Sequence, residues 1–130
     1  MVSSMTKLLL IDDDQKILDL LQLYLAQDNF TFLLANDGNE GMELFLENSV
    51  DLVIMDIFMP NMDGIQTIIE MKNKKNCCPI LIISGGGELT GLEFLRQAKA
   101  LGADEAMVKP FSKDELRKTV QSLLTGHGRS

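Results

Sequence analysis

The chain lacks the long apolar runs that insertion into a membrane requires. Its longest runs are four or five residues, as at residues 8–11 and 52–55, whereas a membrane-spanning helix needs about 20. Residues 1–7 contain no apolar core of the kind that a secretory signal has. We therefore expect a cytoplasmic protein with no membrane partner.

Histidine and cysteine are also scarce. The sequence has one histidine, His127, and two cysteines, which stand side by side at Cys77 and Cys78. A zinc site of the usual kind needs more Cys and His ligands than these. Because disulfides are rare in the cytosol, we interpret the two cysteines as reduced thiols beside a buried strand, with a vicinal disulfide as the alternative.

Positive charge is in deficit. The 12 lysines and arginines against 19 aspartates and glutamates give a formal net charge of −7. An acidic surface repels the phosphates of nucleic acids, so direct binding to nucleic acid is not expected. A basic partner surface or a bound cation suits this charge better.

Short apolar segments alternate with segments of helical periodicity along the whole chain. The predicted strands are residues 7–11, 30–35, 52–55, 80–83 and 106–108. Asp14 is predicted to cap the first helix, Gly102 to end the fourth, and Ser112 with Glu115 to form a capping box before the fifth. Five βα units without a linker predict a parallel sheet with helices on both faces, in one domain over residues 6–125. Residues 1–5 and 126–130 are expected to be loose termini.

The apolar positions that mark the helices are spaced three and four residues apart. They are Ile17, Leu20, Leu21, Tyr24 and Leu25 for the first helix, Met42, Phe45 and Leu46 for the second, Ile65, Ile68 and Ile69 for the third, Leu92, Leu95, Ala98 and Leu101 for the fourth, and Leu116, Val120, Leu123 and Leu124 for the fifth.

Polar residues stand at the carboxyl ends of four predicted strands. Asp12 and Asp13 follow the first strand, Asp56 the third, Ser84 the fourth and Lys109 the fifth. In doubly wound sheets the working site lies beyond the carboxyl ends of the strands, where the strand order reverses. We therefore expect these side chains to meet at one edge of the sheet.

Three carboxylates at one place raise one another's pKa, and either the uptake of protons or the binding of a hard divalent cation would relieve their repulsion. An all-oxygen set without His or Cys suits magnesium, with manganese as an alternative. A cation, a lysine and a hydroxyl together would let a carboxylate attack a phosphoryl group and form an aspartyl phosphate. Taken singly, the acidic run also reads as a solvated helix cap, the Lys-Pro pair as a turn, and the serine as a hydroxyl that satisfies backbone groups.

The combined pattern resembles the receiver domains of bacterial response regulators, chemotaxis regulators among them. The matching parts are the acid pair Asp12-Asp13, residues 56–64 with the sequence DIFMPNMDG, Ser84, and residues 109–111 with the sequence KPF. The resemblance covers about residues 6–125. It implies a flavodoxin-like (βα)5 three-layer sandwich with a five-stranded parallel sheet in the strand order 2-1-3-4-5.

The resemblance also implies the role of each residue. Asp56 would be phosphorylated, and Ser84 and Lys109 would contact the phosphoryl oxygens, with a cis Lys109–Pro110 bond. Pro60 and Gly64 would shape the loop into the third helix. The implied magnesium ligands are Asp13 and Asp56 directly, Asp12 through water, and the main-chain carbonyl of Phe58.

The implied activity is phosphorelay signalling and not turnover of a substrate. A sensor histidine kinase or a histidine phosphotransfer protein would donate the phosphoryl group, and the domain would catalyse only its own phosphorylation and dephosphorylation. Phosphorylation would switch contacts with a downstream target protein or an output domain, and the domain would be a monomer or a weak homodimer.

One position departs from the family pattern. Many receivers carry an aromatic residue three positions before the lysine, where this chain has Ala106. The glycines at residues 85–87 follow Ser84, and glycine is costly to order. We therefore predict that a rearrangement of residues 84–91 carries the signal without an aromatic rotamer switch.

Three other protein classes are alternatives to a phosphoryl-accepting receiver domain. An acid-nucleophile phosphatase of the haloacid dehalogenase type needs Asp-x-Asp-x-Thr or Val, and Lys16 stands where the Thr or Val belongs. A flavodoxin-like electron carrier needs Ser, Thr and Gly in its first loop, where this chain has aspartates. A receiver-like module without phosphotransfer is the third alternative, although every charged position of the site is filled here.

Overall fold

A computed structural model describes residues 5–27, 29–57, 64–74, 78–84 and 91–126. Strands and helices alternate along the chain. The strands are β1 (Thr6–Ile11), β2 (Phe30–Ala35), β3 (Leu52–Asp56), β4 (Ile80–Ser84) and β5 (Glu105–Val108). The helices are α1 (Gln15–Leu25), α2 (Gly38–Glu47), α3 (Gly64–Lys72), α4 (Gly91–Ala100) and α5 (Lys113–Gly126). The five predicted strands are confirmed, and four of them extend one residue further at one end.

All strand pairs are parallel, and the five strands follow the order β2-β1-β3-β4-β5. The predicted flavodoxin-like topology is therefore confirmed. The order reverses at β1, because the chain runs from β1 outward to β2 and then crosses back to β3. The site expected from the sequence lies at this reversal.

The sheet separates two apolar layers. Successive side chains of a strand point to opposite faces, so Leu8 and Leu10 pack with residues of α1 and α5, whereas Leu9 and Ile11 pack with residues of α2 and α3. Strands β3 and β4 are buried along their whole length. Burial on both faces explains why their sequences are apolar runs without alternation.

The apolar periodicity located the helices but not every buried face. Ile65 and Ile69 of α3 are 41% and 42% exposed, and Leu46 of α2 is 59% exposed. The inward face of α3 instead carries Ile68 and Met71, both fully buried. Isoleucines at adjacent and neighbouring positions leave the orientation of a short helix ambiguous, and packing against the sheet decides it.

The predicted helix ends are confirmed where the structure describes them. The Glu115 amide donates to Ser112 Oγ at 3.0 Å while Glu115 Oε1 accepts from the Ser112 amide at 2.9 Å, which completes the capping box. Gly102 has a φ of +117°, and the Ala103 amide donates to the Ala98 carbonyl at 3.1 Å. These are the features of a Schellman motif, whose left-handed position favours glycine.

Cys78 is buried, whereas Cys77 lies outside the described residues, so the redox state of the pair stays a prediction. Among the described residues, no helix combines the length and the apolar character needed to cross a membrane.

Candidate functional site

Four strands deliver the predicted site residues to one edge of the sheet. β3 ends at Asp56 and β4 at Ser84, whereas β1 and β5 end one residue before Asp12 and Lys109. Because the strands are parallel and their ends are in register, the four residues lie at the same edge. The structure therefore brings together the residues that the sequence grouped.

Backbone hydrogen bonds beyond the strand ends hold this edge in place. The Lys109 amide donates to the Ser84 carbonyl at 2.7 Å, and the Ile57 amide donates to the Ile83 carbonyl at 3.1 Å. Each bond continues the strand pairing by one step, so Ile57 and Lys109 are held in place just beyond the strand ends. The Lys109–Pro110 peptide bond is cis, as the resemblance to receiver domains implied.

Three carboxylates converge at this edge. Asp12, Asp13 and Asp56 each offer an oxygen atom, and these atoms lie within 4.8 Å of one another. Asp12 and Asp56 are buried, whereas Asp13 is exposed. The cluster therefore has two members fixed in the protein and one that faces solvent.

One ammonium group lies against the two buried acids. Lys109 Nζ is 3.3 Å from Asp12 Oδ2 and 3.4 Å from Asp56 Oδ2. With all these groups ionised, three negative charges face one positive charge, so the cluster keeps an excess of negative charge. Such an excess favours the binding of a cation.

The Asp12 carboxylate is anchored on both of its oxygens. Oδ1 accepts a hydrogen bond from the Asp14 amide at 2.9 Å, and Oδ2 accepts one from Lys109 Nζ at 3.3 Å. Burial raises the pKa of Asp12 above its ordinary value, and the charge of Asp56 acts in the same direction, while the Asp14 amide and Lys109 oppose the shift. The contact between Asp14 and Asp12 was not predicted, because the sequence indicated only the capping role of Asp14.

The cluster fits magnesium by its donor atoms. All three side chains present oxygen, and hard divalent cations prefer oxygen ligands. The exposed side of Asp13 leaves room for the water molecules that Mg²⁺ retains. The Phe58 carbonyl, implied as a further ligand, lies outside the described residues.

The start of α3 packs directly against the segment that follows Asp56. The Gly64 amide donates to the Ile57 carbonyl at 3.1 Å. A Cβ atom at residue 64 would lie 2.5 Å from Ile57 Cα and 2.7 Å from the Ile57 carbonyl oxygen, closer than any side chain tolerates. Only glycine permits this close approach of residue 64 to residue 57.

Ser84 and Ala106 lie on adjacent strands near the carboxyl edge. Ser84 is buried. Ala106 is also buried, opposite Ile82, at a groove of about 450 Å3 between β5 and α5. The groove is lined by Ala106, Met107, Val108, Phe111, Glu115, Lys118 and Thr119. The predicted rearrangement of residues 84–91 stays a prediction, because residues 85–90 lie outside the described part of the chain.

The fold and the site define a doubly wound α/β domain with an acidic cluster at its topological switch point. The chain belongs to the response regulator receiver domain family, whose model matches residues 8–121. It is therefore a signalling domain of two-component systems rather than a turnover enzyme.

Curated relatives confirm this membership. The chain is 37% identical over 123 residues to the transcriptional regulatory protein CpxR of Klebsiella pneumoniae subsp. pneumoniae, covering 92% of this chain and 50% of that protein. It is 34% identical over 118 residues to the transcriptional regulatory protein SrrA of Staphylococcus aureus, covering 91% of this chain and 47% of that protein. The chain spans about half the length of the curated relatives it matches.

Solved structures show the same fold. The receiver domain of the Francisella response regulator 1452 superposes with a TM-score of 0.83 at 30% identity, over 94% of this chain and 98% of that one. The chemotaxis response regulator CheY4 of Vibrio cholerae superposes with a TM-score of 0.83 at 29% identity, over 93% of this chain and 100% of that one.

Proposed function

We propose that Asp56 accepts a phosphoryl group from a phosphohistidine on a sensor histidine kinase or a histidine phosphotransfer protein. One observation carries the proposal. Asp56 is buried at a strand end, with oxygen atoms of Asp12 and Asp13 within 4.8 Å and Lys109 Nζ at 3.4 Å. Amide hydrogen bonds or one cation satisfy a structural aspartate, whereas a phosphoryl acceptor needs both a cation site and a positive group beside it.

Asp12, Asp13 and Asp56 would hold Mg²⁺, or Mn²⁺ in its place, with the Phe58 carbonyl as the further ligand implied by the family. The bound cation supplies neutralisation of the charge on the transferring phosphoryl group. Asp13 and Asp56 are assigned as direct ligands and Asp12 as a ligand through water. The assignment of Asp12 is supported by its two hydrogen bonds, one on each oxygen, which leave fewer acceptor sites for direct contact with a metal.

In the transfer step an oxygen of Asp56 forms a bond to phosphorus while the bond from phosphorus to the donor imidazole breaks. The electron pair of the broken bond stays on the imidazole nitrogen, which takes up a proton on the donor side. Lys109 and Ser84 would contact the phosphoryl oxygens and hold them as their charge redistributes. Hydrolysis of the aspartyl phosphate, by attack of water on phosphorus, would return Asp56 to its carboxylate.

The output of the domain would be a change in protein contacts. The matched relatives are named as transcriptional regulators and are about twice as long as this chain. Contact with DNA would therefore belong to a second domain or a partner, in keeping with the net charge of −7 on this chain. Phosphoryl donors of this kind are charged from ATP, so the proposed function assigns the domain to the cytoplasm.

The test is incubation with acetyl phosphate and Mg²⁺, followed by intact-mass measurement. The unmodified sequence should gain the mass of one phosphoryl group, and Asp56→Asn should gain none. Asp19→Asn is the matched control, because Asp19 is an exposed aspartate on α1 that bonds only to Gln15 in the described structure; it should be phosphorylated like the unmodified chain.

Two results would contradict the proposal. Equal phosphorylation of Asp56→Asn would place the acceptor elsewhere. Release of many phosphates per protein molecule from a phosphoester would indicate the phosphatase alternative instead.

A further inference from the structure

The residue that begins α1 is also the residue that holds Asp12. Asp14 has an extended backbone with φ −99° and ψ 109°, the usual geometry of an N-cap. Its side-chain oxygen Oδ1 accepts from the Lys16 amide at 2.9 Å. Its own amide donates to Asp12 Oδ1 at 2.9 Å. Asp14 therefore caps α1 with its side chain and holds the buried Asp12 carboxylate with its backbone amide.

The position of α1 itself is fixed by the core. The Asp14 carbonyl accepts from the amides of Ile17 and Leu18 at 3.0 and 3.2 Å, and Leu18 and Leu21 are buried against the sheet. The first turn of the helix thus gives Asp14 a rigid support. The core therefore fixes α1, and α1 fixes Asp14. The Asp14 amide in turn holds the Asp12 carboxylate.

We propose that Asp14 is a positioning residue of the cation site, which acts by capping α1 and not by its charge. Its cap holds the turn of residues 12–14 in the one conformation that directs the carboxylates of Asp12 and Asp13 towards Asp56. The inference rests on the proposed function, since it concerns the affinity of that site for Mg²⁺.

The physical reason is a competition between conformations of the turn. Without the capping oxygen, the Lys16 amide lacks its partner and the first turn of α1 can open. Opening releases the Asp14 amide from Asp12 and lets two like-charged carboxylates move apart. A cation must then bind a state that is only partly populated, and its apparent affinity falls by that fraction.

Two substitutions at residue 14 separate the cap from the charge. Asp14→Ala removes both, whereas Asp14→Asn removes the charge and keeps a cap of equal quality. A third variant, Asp37→Ala, removes a cap elsewhere: Asp37 Oδ1 accepts from the Glu40 amide at 2.8 Å at the start of α2. Asp37 is not part of the carboxylate cluster, so this variant controls for the loss of a helix cap away from the site.

The first measurement is Mg²⁺ binding. The metal is titrated into the whole chain, and NMR records the change in the amide chemical shifts. We expect Asp14→Ala to weaken binding by up to about fivefold, the population shift that one N-cap supports. Asp14→Asn and Asp37→Ala should bind within about twofold of the unmodified chain. Asp37→Ala should nevertheless melt at a lower temperature, as Asp14→Ala does.

The second measurement needs no metal. In the presence of EDTA, hydrogen exchange of the residue 14 amide should be faster in Asp14→Ala than in the unmodified chain and unchanged in Asp14→Asn. This readout follows the anchor on Asp12 directly, and neither phosphorylation nor cation binding enters into it.

The outcomes separate this inference from the proposed function. If the unmodified chain binds Mg²⁺ and Asp14→Ala binds it equally well, the positioning role is wrong and the site stands. If Asp14→Asn binds as weakly as Asp14→Ala, Asp14 acts by charge and the inference is overturned. If the unmodified chain binds no Mg²⁺, the proposed function fails and this inference fails with it.

Discussion

Two lysines contact aspartates at opposite edges of the same sheet. At the amino edge, Lys72 Nζ lies 2.9 Å from Asp104 Oδ2, with both side chains 26% exposed. At the carboxyl edge, Lys109 Nζ lies 3.3 and 3.4 Å from two aspartates whose side chains are 0% and 10% exposed. The closer pair is the more exposed one, and the more distant contacts are the buried ones.

The two edges differ in how the charges of their carboxylates are balanced. Asp104 faces one lysine and also accepts from the Ile80 amide at 2.8 Å, so its carboxylate is satisfied and joins α3 to the starts of β4 and β5. At the carboxyl edge, the two buried carboxylates share one lysine, and the Asp13 carboxylate lies beside them. A balanced pair holds the fold together, whereas an excess of carboxylates over cations is the arrangement that the proposed function requires.

Replacing each lysine in turn tests whether the two edges differ in function. Lys109→Met should slow phosphorylation by acetyl phosphate about a hundredfold, the usual cost of losing one group that stabilises developing charge. Lys72→Met should leave the rate within about twofold, since the distant edge makes no contact with the site. Intact-mass time courses at saturating Mg²⁺ measure both rates.

Circular dichroism of both lysine variants is the control for folding. Equal loss of rate in the two variants would mean that the edges are energetically coupled, and the distinction drawn between them would fail. Unchanged phosphorylation of Lys109→Met would remove Lys109 from the proposed transfer step.

Mg²⁺ should raise the free energy of unfolding by binding at the carboxyl edge and not at the amino edge. A ligand present at 100 times its dissociation constant adds about 2.7 kcal/mol to the free energy of unfolding. We expect this gain in the unmodified chain and in Lys72→Met, and no gain when Asp13 and Asp56 are both replaced by asparagine. Urea unfolding with and without Mg²⁺ measures the difference, and an equal gain in the double variant would place the cation elsewhere.

Removing the aspartate of the structural pair should cost stability and not activity. Asp104→Ala leaves the amide of fully buried Ile80 without its side-chain acceptor, which typically costs about 1–3 kcal/mol. Asp51→Ala is the matched control, because Asp51 accepts from the Lys7 amide at 2.8 Å in an exposed position and should cost less. Both variants should keep the phosphorylation rate, and a lower rate in Asp104→Ala would contradict a purely structural role.

The sequence was sufficient to predict the carboxyl-edge site but not the amino-edge pair. Asp12, Asp56, Ser84 and Lys109 each follow an apolar strand, and the rule that parallel strand ends share an edge brings them together without coordinates. No comparable rule joins Lys72 to Asp104. They are 32 residues apart, and only the packing of α3 beside the start of β5 makes them neighbours.

Details within the site were also beyond the sequence. The hydrogen bond from the Asp14 amide to Asp12 depends on the dihedral angles of one turn, and the residue types alone indicate only a cap. The exposed Ile65 and Ile69 illustrate the same limit on α3. Apolar side chains favour burial in general, and packing determines which of them are buried.

The smallest expected effect is a pH dependence that comes from Asp12. Burial raises the pKa of Asp12 in the folded protein above the ordinary value of 3.8. Between these two pKa values the folded protein binds more protons than the unfolded chain, so its stability falls as the pH rises through that window.

Asp12→Asn removes this titration. In EDTA, the stability of Asp12→Asn relative to the unmodified chain should therefore improve from about pH 4 upward, as measured by urea unfolding at a series of pH values. A difference that stays constant with pH would mean that the Asp14 amide and Lys109 fully offset the burial of Asp12. The carboxyl edge would then be as well balanced as the pair between Lys72 and Asp104.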